Sequence, residues 1–351
     1  MRRKSMDKIC LASDNYAPVH PDVIEAILSC NTGPSVAYGD DPWTKKAIEL
    51  IQHEFKNECK VLIVPNGTGA NVLSLRICCQ RYQSVLVSDI SHIDHQESGA
   101  AEALVGCKLL KVASINGKIY PEAIKKRIEA EKAFGKHSSK PAVLSIAQST
   151  EVGTVYTLAE LEAISMLCKQ ENILLHIDGC RIFNASVYLN ASLSEIIQVA
   201  NPDIVSFGGT KNGLMGVESV LIFNKDLCDG ADHLQKQSLQ LLSKMRYASA
   251  QYIPFFKNKL WKSLAQNAND KAKKIADIIK NTKNMHLTHE VETNQIFFTV
   301  PCSWIHLIQE HVTCYLWNKE KNEIRFIASW NTTEEEIISL KTLFSKISRI
   351  S

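Results

Sequence analysis

The sequence predicts an α/β protein, with a mostly parallel seven-stranded sheet in a large domain and a smaller α+β domain at its C-terminal end. Three observations lead there. Between residues 42 and 225 short apolar runs alternate with stretches of helical periodicity, the pattern of strand-helix-strand units. Long helical stretches follow to about residue 280, and strand-like runs then return before a last helix. The 351 residues also exceed one ordinary core, since domains run to roughly 150 residues each.

The seven strands are expected at Val61–Pro65, Ser84–Val87, Leu109–Val112, Ala142–Ile146, Ile173–Ile177, Ile204–Phe207 and Ser219–Phe223. Between them, Thr44–Phe55 and Leu158–Lys169 place apolar residues three or four apart, so each packs one face on the sheet. Ile296–Val300 and Ile324–Ala328 read as strands of the smaller domain, followed by a helix from Thr333. The expected boundaries are an N-terminal segment 1–20, a large domain 21–250 and a smaller domain 251–351.

With 45% hydrophobic and 22% charged residues the composition is that of a globular protein, and no segment resembles a membrane span. Forty Lys+Arg against 37 Asp+Glu leave +3, and the basic residues are scattered. That excludes an electrostatic case for nucleic acid and favours a small-molecule partner. Eleven cysteines, single apart from Cys78 and Cys79, show no spacing suited to zinc and read as reduced cytosolic thiols. MRRKSMDKIC has no apolar stretch behind its basic residues, so a cytoplasmic location is expected, with Met6 as a second candidate start.

In an open α/β sheet, ligands bind at the carboxyl ends of the strands, so the residues just after each apolar run carry most information. After Val61–Pro65 comes Asn66-Gly67-Thr68-Gly69-Ala70-Asn71. It is either an ordinary turn or a helix start whose N–H groups and Thr68 hydroxyl hold a phosphate. After Ile173–Ile177 come Asp178 and Arg181. They are either a structural ion pair or a carboxylate that keeps a pyridine nitrogen protonated, with a guanidinium suited to a substrate carboxylate. After Ile204–Phe207 comes Gly208-Gly209-Thr210-Lys211-Asn212-Gly213. Burial is expected to lower the pKa of Lys211, readying its amine to form an imine with an aldehyde.

The order of these motifs resembles the low-specificity threonine aldolase family of fold-type-I pyridoxal-phosphate (PLP) enzymes, within the aromatic β-eliminating lyase/threonine aldolase superfamily. The resemblance covers nearly the whole chain. It runs through Ser13-Asp14-Asn15-Tyr16, Tyr38-Gly39-Asp40-Asp41-Pro42, Asn66–Asn71, Ser91-His92-Ile93, Gln148–Glu151, His176–Arg181, Gly208–Gly213, Ser243–Arg246 and Ile324-Arg325.

The resemblance implies a Schiff base between PLP and Lys211, Asp178 at the pyridine nitrogen, and Gly67 and Thr68 in the phosphate cup. It implies His92 stacked on the ring, and Ser13, Arg181 and Arg325 on the substrate carboxylate. His137 matches a histidine near the substrate hydroxyl, although Lys136-His137-Ser138 also reads as plain polar loop. Arg246 and Tyr38 match residues that approach the cofactor site of a neighbouring subunit, so a homo-oligomer, dimer or tetramer, is expected.

Three departures mark a divergent branch. Cys180 replaces the alanine of Asp-Gly-Ala-Arg, Gln148-Ser149-Thr150-Glu151 replaces Glu-Asn-Thr, and no Thr-His pair follows Arg325.

The implied reaction cleaves the Cα–Cβ bond of L-threonine, L-allo-threonine or a related β-hydroxy amino acid to glycine and an aldehyde, with His92 or His137 as the base. A β-eliminating lyase or an aminotransferase would use the same Lys and Asp. A PLP-binding protein without turnover is a third reading, for which no basic stripe or appended DNA-binding segment speaks.

Overall fold

The computed structural model describes residues 8–349; Met1 and Met6 lie outside them. Its large sheet is built from β2 (Lys60–Val64), β3 (Gln83–Ser88), β4 (Lys108–Val112), β5 (Lys140–Ala147), β6 (Leu174–Gly179), β7 (Ile204–Gly208) and β8 (Glu218–Ile222), numbered after a short N-terminal strand, β1 (Ile9–Cys10). The order across the sheet is β2-β8-β7-β6-β5-β3-β4. All neighbours run parallel except β8, which is antiparallel to both β2 and β7.

The unbroken apolar runs follow from this position. Helices cover both faces, so residues on either side of a strand are buried, as in Ile204, Val205 and Phe207 of β7. One face packs on the Pro42–Phe55, Leu158–Glu171 and Ile182–Leu189 helices through Ile51, Phe55, Leu161, Phe183 and Phe207. The other packs on the Gly67–Cys78 helix through Leu62, Val64, Leu73 and Val220.

The C-terminal part contains β9 (His286–Leu287), β10 (Gln295–Thr299), β11 (Val312–Thr313), β12 (Tyr315–Asn318) and β13 (Glu323–Ile327). Four of these form an antiparallel sheet in the order β12-β13-β10-β9. Its core joins Phe298, Phe326 and Phe344 to Ile275 and Ile279. The last helix, Glu334–Ile347, is started by a capping box in which the Thr333 side chain and Glu336 satisfy each other's backbone N–H groups.

Two details refine the expected domain division. Tyr252, Phe255, Trp261 and Leu264 belong to the core of the large sheet, whereas Ala272, Ile275 and Ile279 belong to the smaller one. The change of core therefore falls inside the Leu260–Lys280 helix rather than at residue 251, because that helix buries its first half in one core and its second half in the other. At the other end, β1 pairs in parallel with β11 and Leu11 is buried in the smaller core. The chain then runs from the smaller part straight to the carboxyl edge of the large sheet.

Candidate active site

A cleft of about 400 Å³ opens at that edge, lined among others by Ser13, Gly67, Thr68, His92, Asp178, Arg181, Lys211 and Arg325. They come from six separate segments of the chain. Parallel order explains the convergence: β2, β6 and β7 end side by side or nearly so, and their next residues emerge together.

Asn66 caps the Gly67–Cys78 helix, its Oδ1 accepting from the Gly69 N–H at 2.7 Å. The Gly67 and Thr68 N–H groups lie ahead of the first helical bond and point out of the helix start, as an anion requires. A Cβ on Gly67 would meet nothing within 4 Å. Thr210 Oγ1, also on the cleft, is buried without a hydrogen-bond partner among the described residues. The donors needed by a phosphate are thus present and uncommitted.

Asp178 is buried and accepts from Asn71 Nδ2 at 3.0 Å and from the Cys180 N–H at 3.0 Å. Burial alone would raise its pKa, but the Lys211 charge and the Cys180 N–H outweigh that and leave it below the usual carboxylate range. Asn71 Nδ2 also donates to Glu97 Oε1 at 2.9 Å, and the same oxygen lies 3.0 Å from His92 Nδ1. One chain of contacts therefore fixes the His92 ring relative to Asp178.

Lys211 sits in the short 3-10 turn Thr210–Asn212 after β7. The expected lowering of its pKa is not what the site produces. Burial does pull it down, but neighbouring negative groups more than reverse this and the net direction is upward. Cys180 would be one of those groups only as a thiolate, and burial pushes its thiol up to about 12. It is a neutral thiol in ordinary conditions, so Asp14 and Asp178 are the carboxylates that hold Lys211 as an ammonium.

Arg181 is gripped by Asp14, Nε donating to Oδ2 at 2.8 Å and Nη2 to Oδ1 at 3.0 Å. Arg325, from β13, lies against the rings of Tyr315 and Trp317 at 5.1 and 4.6 Å. Burial, followed by the nearby Arg181 charge, lowers its pKa to about 10. Ser13 lines the same end and caps the turn Asp14–Tyr16 by accepting from the Asn15 N–H.

Three expected residues are not brought into this cleft. His137 is exposed and precedes β5, hence sits on the opposite edge of a parallel strand eight residues long, on the order of 20 Å away. The resemblance puts it near the substrate; strand direction puts it out of reach within one chain. Arg246 donates to the Thr32 and Gly33 carbonyls, and half-exposed Tyr38 lies under the Lys236 ammonium. Both residues lie outside the cleft of their own chain.

The cleft also holds carboxyls to which the sequence assigned no role. Glu97 was missed, though it stands five residues after His92. Glu151 accepts from the His92 N–H at 3.0 Å, and burial raises its pKa to about 7. Glu218 opens β8 opposite Gly208 and is likewise raised to about 7 by burial. A charged residue heading the apolar run Ser219–Phe223 was the available signal for it.

An amine, an ionised carboxylate and free helix N–H groups around one cleft at the carboxyl edge of an α/β sheet define a PLP-dependent enzyme. The chain belongs to the beta-eliminating lyase family, whose model matches residues 11–303. It is 37% identical over 330 residues to a low-specificity L-threonine aldolase of Pseudomonas aeruginosa, covering 94% of this chain and 95% of that one. A second low-specificity L-threonine aldolase, from a Pseudomonas species, is 36% identical over 330 residues with the same coverage. Among solved structures, Leishmania major threonine aldolase superposes with a TM-score of 0.92 at 25% identity, over 97% of this chain and 99% of that one.

Proposed function

We propose that the chain cleaves the Cα–Cβ bond of L-threonine, L-allo-threonine or a related β-hydroxy amino acid, releasing glycine and an aldehyde. The observation that carries this reading is the placing of Arg181, Arg325 and Ser13 at one end of the cleft that holds Lys211 and Asp178. When bound, PLP supplies an electron sink for charge developing at Cα.

The residues divide the remaining work. Lys211 would provide the amine for the cofactor's aldehyde, and the Gly67 and Thr68 N–H groups with the Thr210 hydroxyl would receive its phosphate. Asp178, held ionised, would serve the ring nitrogen, and His92, fixed by Glu97, would serve the ring. Arg181 and Arg325 take the substrate carboxylate, which decides the bond at Cα that stands ready to break.

Arg246 and Tyr38 serve the site of a second copy in a homo-oligomer. Exposed Leu28, Val36 and Tyr38 supply apolar surface of the kind that association covers. No described helix is long and apolar enough to cross a membrane, and we place the enzyme in the cytoplasm.

Incubating the purified protein with L-threonine and assaying glycine and acetaldehyde tests the reading. Lys211→Ala should abolish both the products and the visible absorbance of bound cofactor. Full turnover with that absorbance intact would sink it. The family's name favours elimination as the second reading, and ammonia with a keto acid in place of glycine would establish it.

A further inference from the structure

The proposed cleavage requires a base for the substrate's β-hydroxyl, and the two histidines expected from the sequence do not supply one. His137 lies at the far edge of the sheet. His92 is on the cleft, but its Nδ1 is held by Glu97. Asp178 is engaged by Asn71 and the Cys180 N–H. Glu97 has its second oxygen sealed in the protein interior with no hydrogen-bond partner among the described residues.

Glu151 is differently placed. It lies in the turn that follows β5, and that turn is pinned at several points. Thr150 N–H donates to the Thr154 carbonyl at 2.9 Å, and the two threonine hydroxyls meet at 2.7 Å. From the C-terminal part, Gln295 Nε2 donates to the Thr150 carbonyl at 3.1 Å and Thr293 Oγ1 to the Gly153 carbonyl at 2.9 Å. A carboxylate on a turn clamped from both sides is held still, as an acid-base group must be. Its Oε1 takes the His92 N–H. No hydrogen bond from another described side chain occupies Oε2, and Glu151 lines the cleft beside His92 and Thr150.

We infer that Glu151 is the catalytic base for the substrate's β-hydroxyl. This rests on the Cα–Cβ cleavage proposed above. The hydroxyl O–H bond breaks and its proton passes to Glu151. The O–H bonding pair becomes the second C–O bond of the aldehyde, while the Cα–Cβ pair stays with Cα. Protonation of Cα then gives glycine, and Glu151 returns its proton to solvent, so the count closes over one cycle. The environment suits a base: burial in company with Asp178, countered by the His92 N–H and charge, brings Glu151 near neutrality, and Tyr156 is its other ionisable neighbour. A base is most effective when its pKa lies near the working pH.

The test compares the cofactor-loaded wild type with Glu151→Gln and Glu151→Asp. Glu151→Gln should lose about 100-fold or more in kcat/KM for L-threonine cleavage, with Glu151→Asp in between. The fall of kcat/KM below about pH 7 should disappear from the residual activity of Glu151→Gln. Cofactor absorbance, the spectral change on titrating glycine, and exchange of glycine's α-proton with deuterated solvent should all persist, since none involves a β-hydroxyl. Wild-type-like cleavage and pH profile in Glu151→Gln would overturn the assignment alone. Loss of cofactor absorbance or glycine binding in that variant would overturn it in favour of a structural role. A wild type that makes no glycine from any β-hydroxy amino acid would overturn the cleavage reading, and this assignment with it.

Discussion

Asp14 and Arg181, 167 residues apart in the chain, meet through two hydrogen bonds of 2.8 and 3.0 Å. Both side chains are largely shut off from solvent. Burial would push Asp14 up, but the Arg181 charge and hydrogen bonds prevail and hold it below the ordinary carboxylate range, while Arg181 is raised in turn. The pair joins the segment that leaves the smaller core to the end of β6, and it aims the guanidinium at the cleft.

Removing one partner of a buried ion pair leaves an uncompensated charge, a loss of about 3–5 kcal/mol. Asp14→Ala should therefore lower stability by that order, read from the denaturant midpoint at unchanged slope. It should also raise KM for the amino acid, because Arg181 loses its orienting partner. Unchanged stability and KM would show that the pair does neither.

Arg325 is positioned by stacking rather than by a carboxylate. Its planar cation lies 4.6 Å from the Trp317 ring centre and 5.1 Å from that of Tyr315. Such contacts are worth about 0.5–2 kcal/mol when partly desolvated. Trp317→Ala should weaken amino-acid binding by that amount. Arg325→Lys, which keeps the charge but loses the plane and the fork, should raise KM about 10-fold or more with kcat less affected. Equal KM values for Arg325→Lys and wild type would remove Arg325 from the carboxylate site.

The strands were legible because burial on both faces leaves continuous apolar runs such as Ile204–Phe207, and the carboxyl-edge rule led to Lys211 and Asp178. The same rule hid Glu218. It looks at residues following a strand, and β8 runs antiparallel, so its first residue is the one at the site. Asp14 and Arg181 were each visible in a motif but their pairing was not, since no local pattern reports a contact 167 residues along the chain. Lys211's raised pKa needed the positions of two carboxylates, which depend on the folded geometry.

Glu218 makes stability depend on pH. Its carboxyl is buried beside the Thr210 N–H, and burial moves its pKa from 4.5 to about 7. A folded-state pKa raised in this way gives stability that is whole below about pH 4.5 and is lost as pH climbs through 7, in total roughly 3 kcal/mol. Glu218→Gln removes the titration. Its melting temperature should gain on wild type as pH rises from 5 to 8, and a pH-independent difference would contradict the assignment.

The space Glu218 fills exists because residue 208 is glycine. A Cβ there would lie 2.0 Å from Glu218 Oε2 and 3.4 Å from the Cys180 Cα. Gly208→Ala should destabilise the fold and disturb cofactor absorbance by displacing that carboxyl. Shortening the partner in Gly208→Ala/Glu218→Ala should restore part of the loss, which strictly additive effects of the two changes would exclude.

The proposed sharing of sites between subunits can be read from mixed oligomers. Arg246 is tied to the Thr32 and Gly33 carbonyls, outside its own chain's cleft, whereas Lys211 is inside it. If Arg246 serves the other subunit of a two-fold pair, a hybrid of Lys211→Ala with Arg246→Ala puts both defects in one site and leaves the other whole. Random pairing of equal amounts makes half the pairs hybrid, so activity should return to about a quarter of wild type. Each variant alone should be inactive or nearly so. Mixtures that recover nothing after verified subunit exchange would place Arg246 in the service of its own chain.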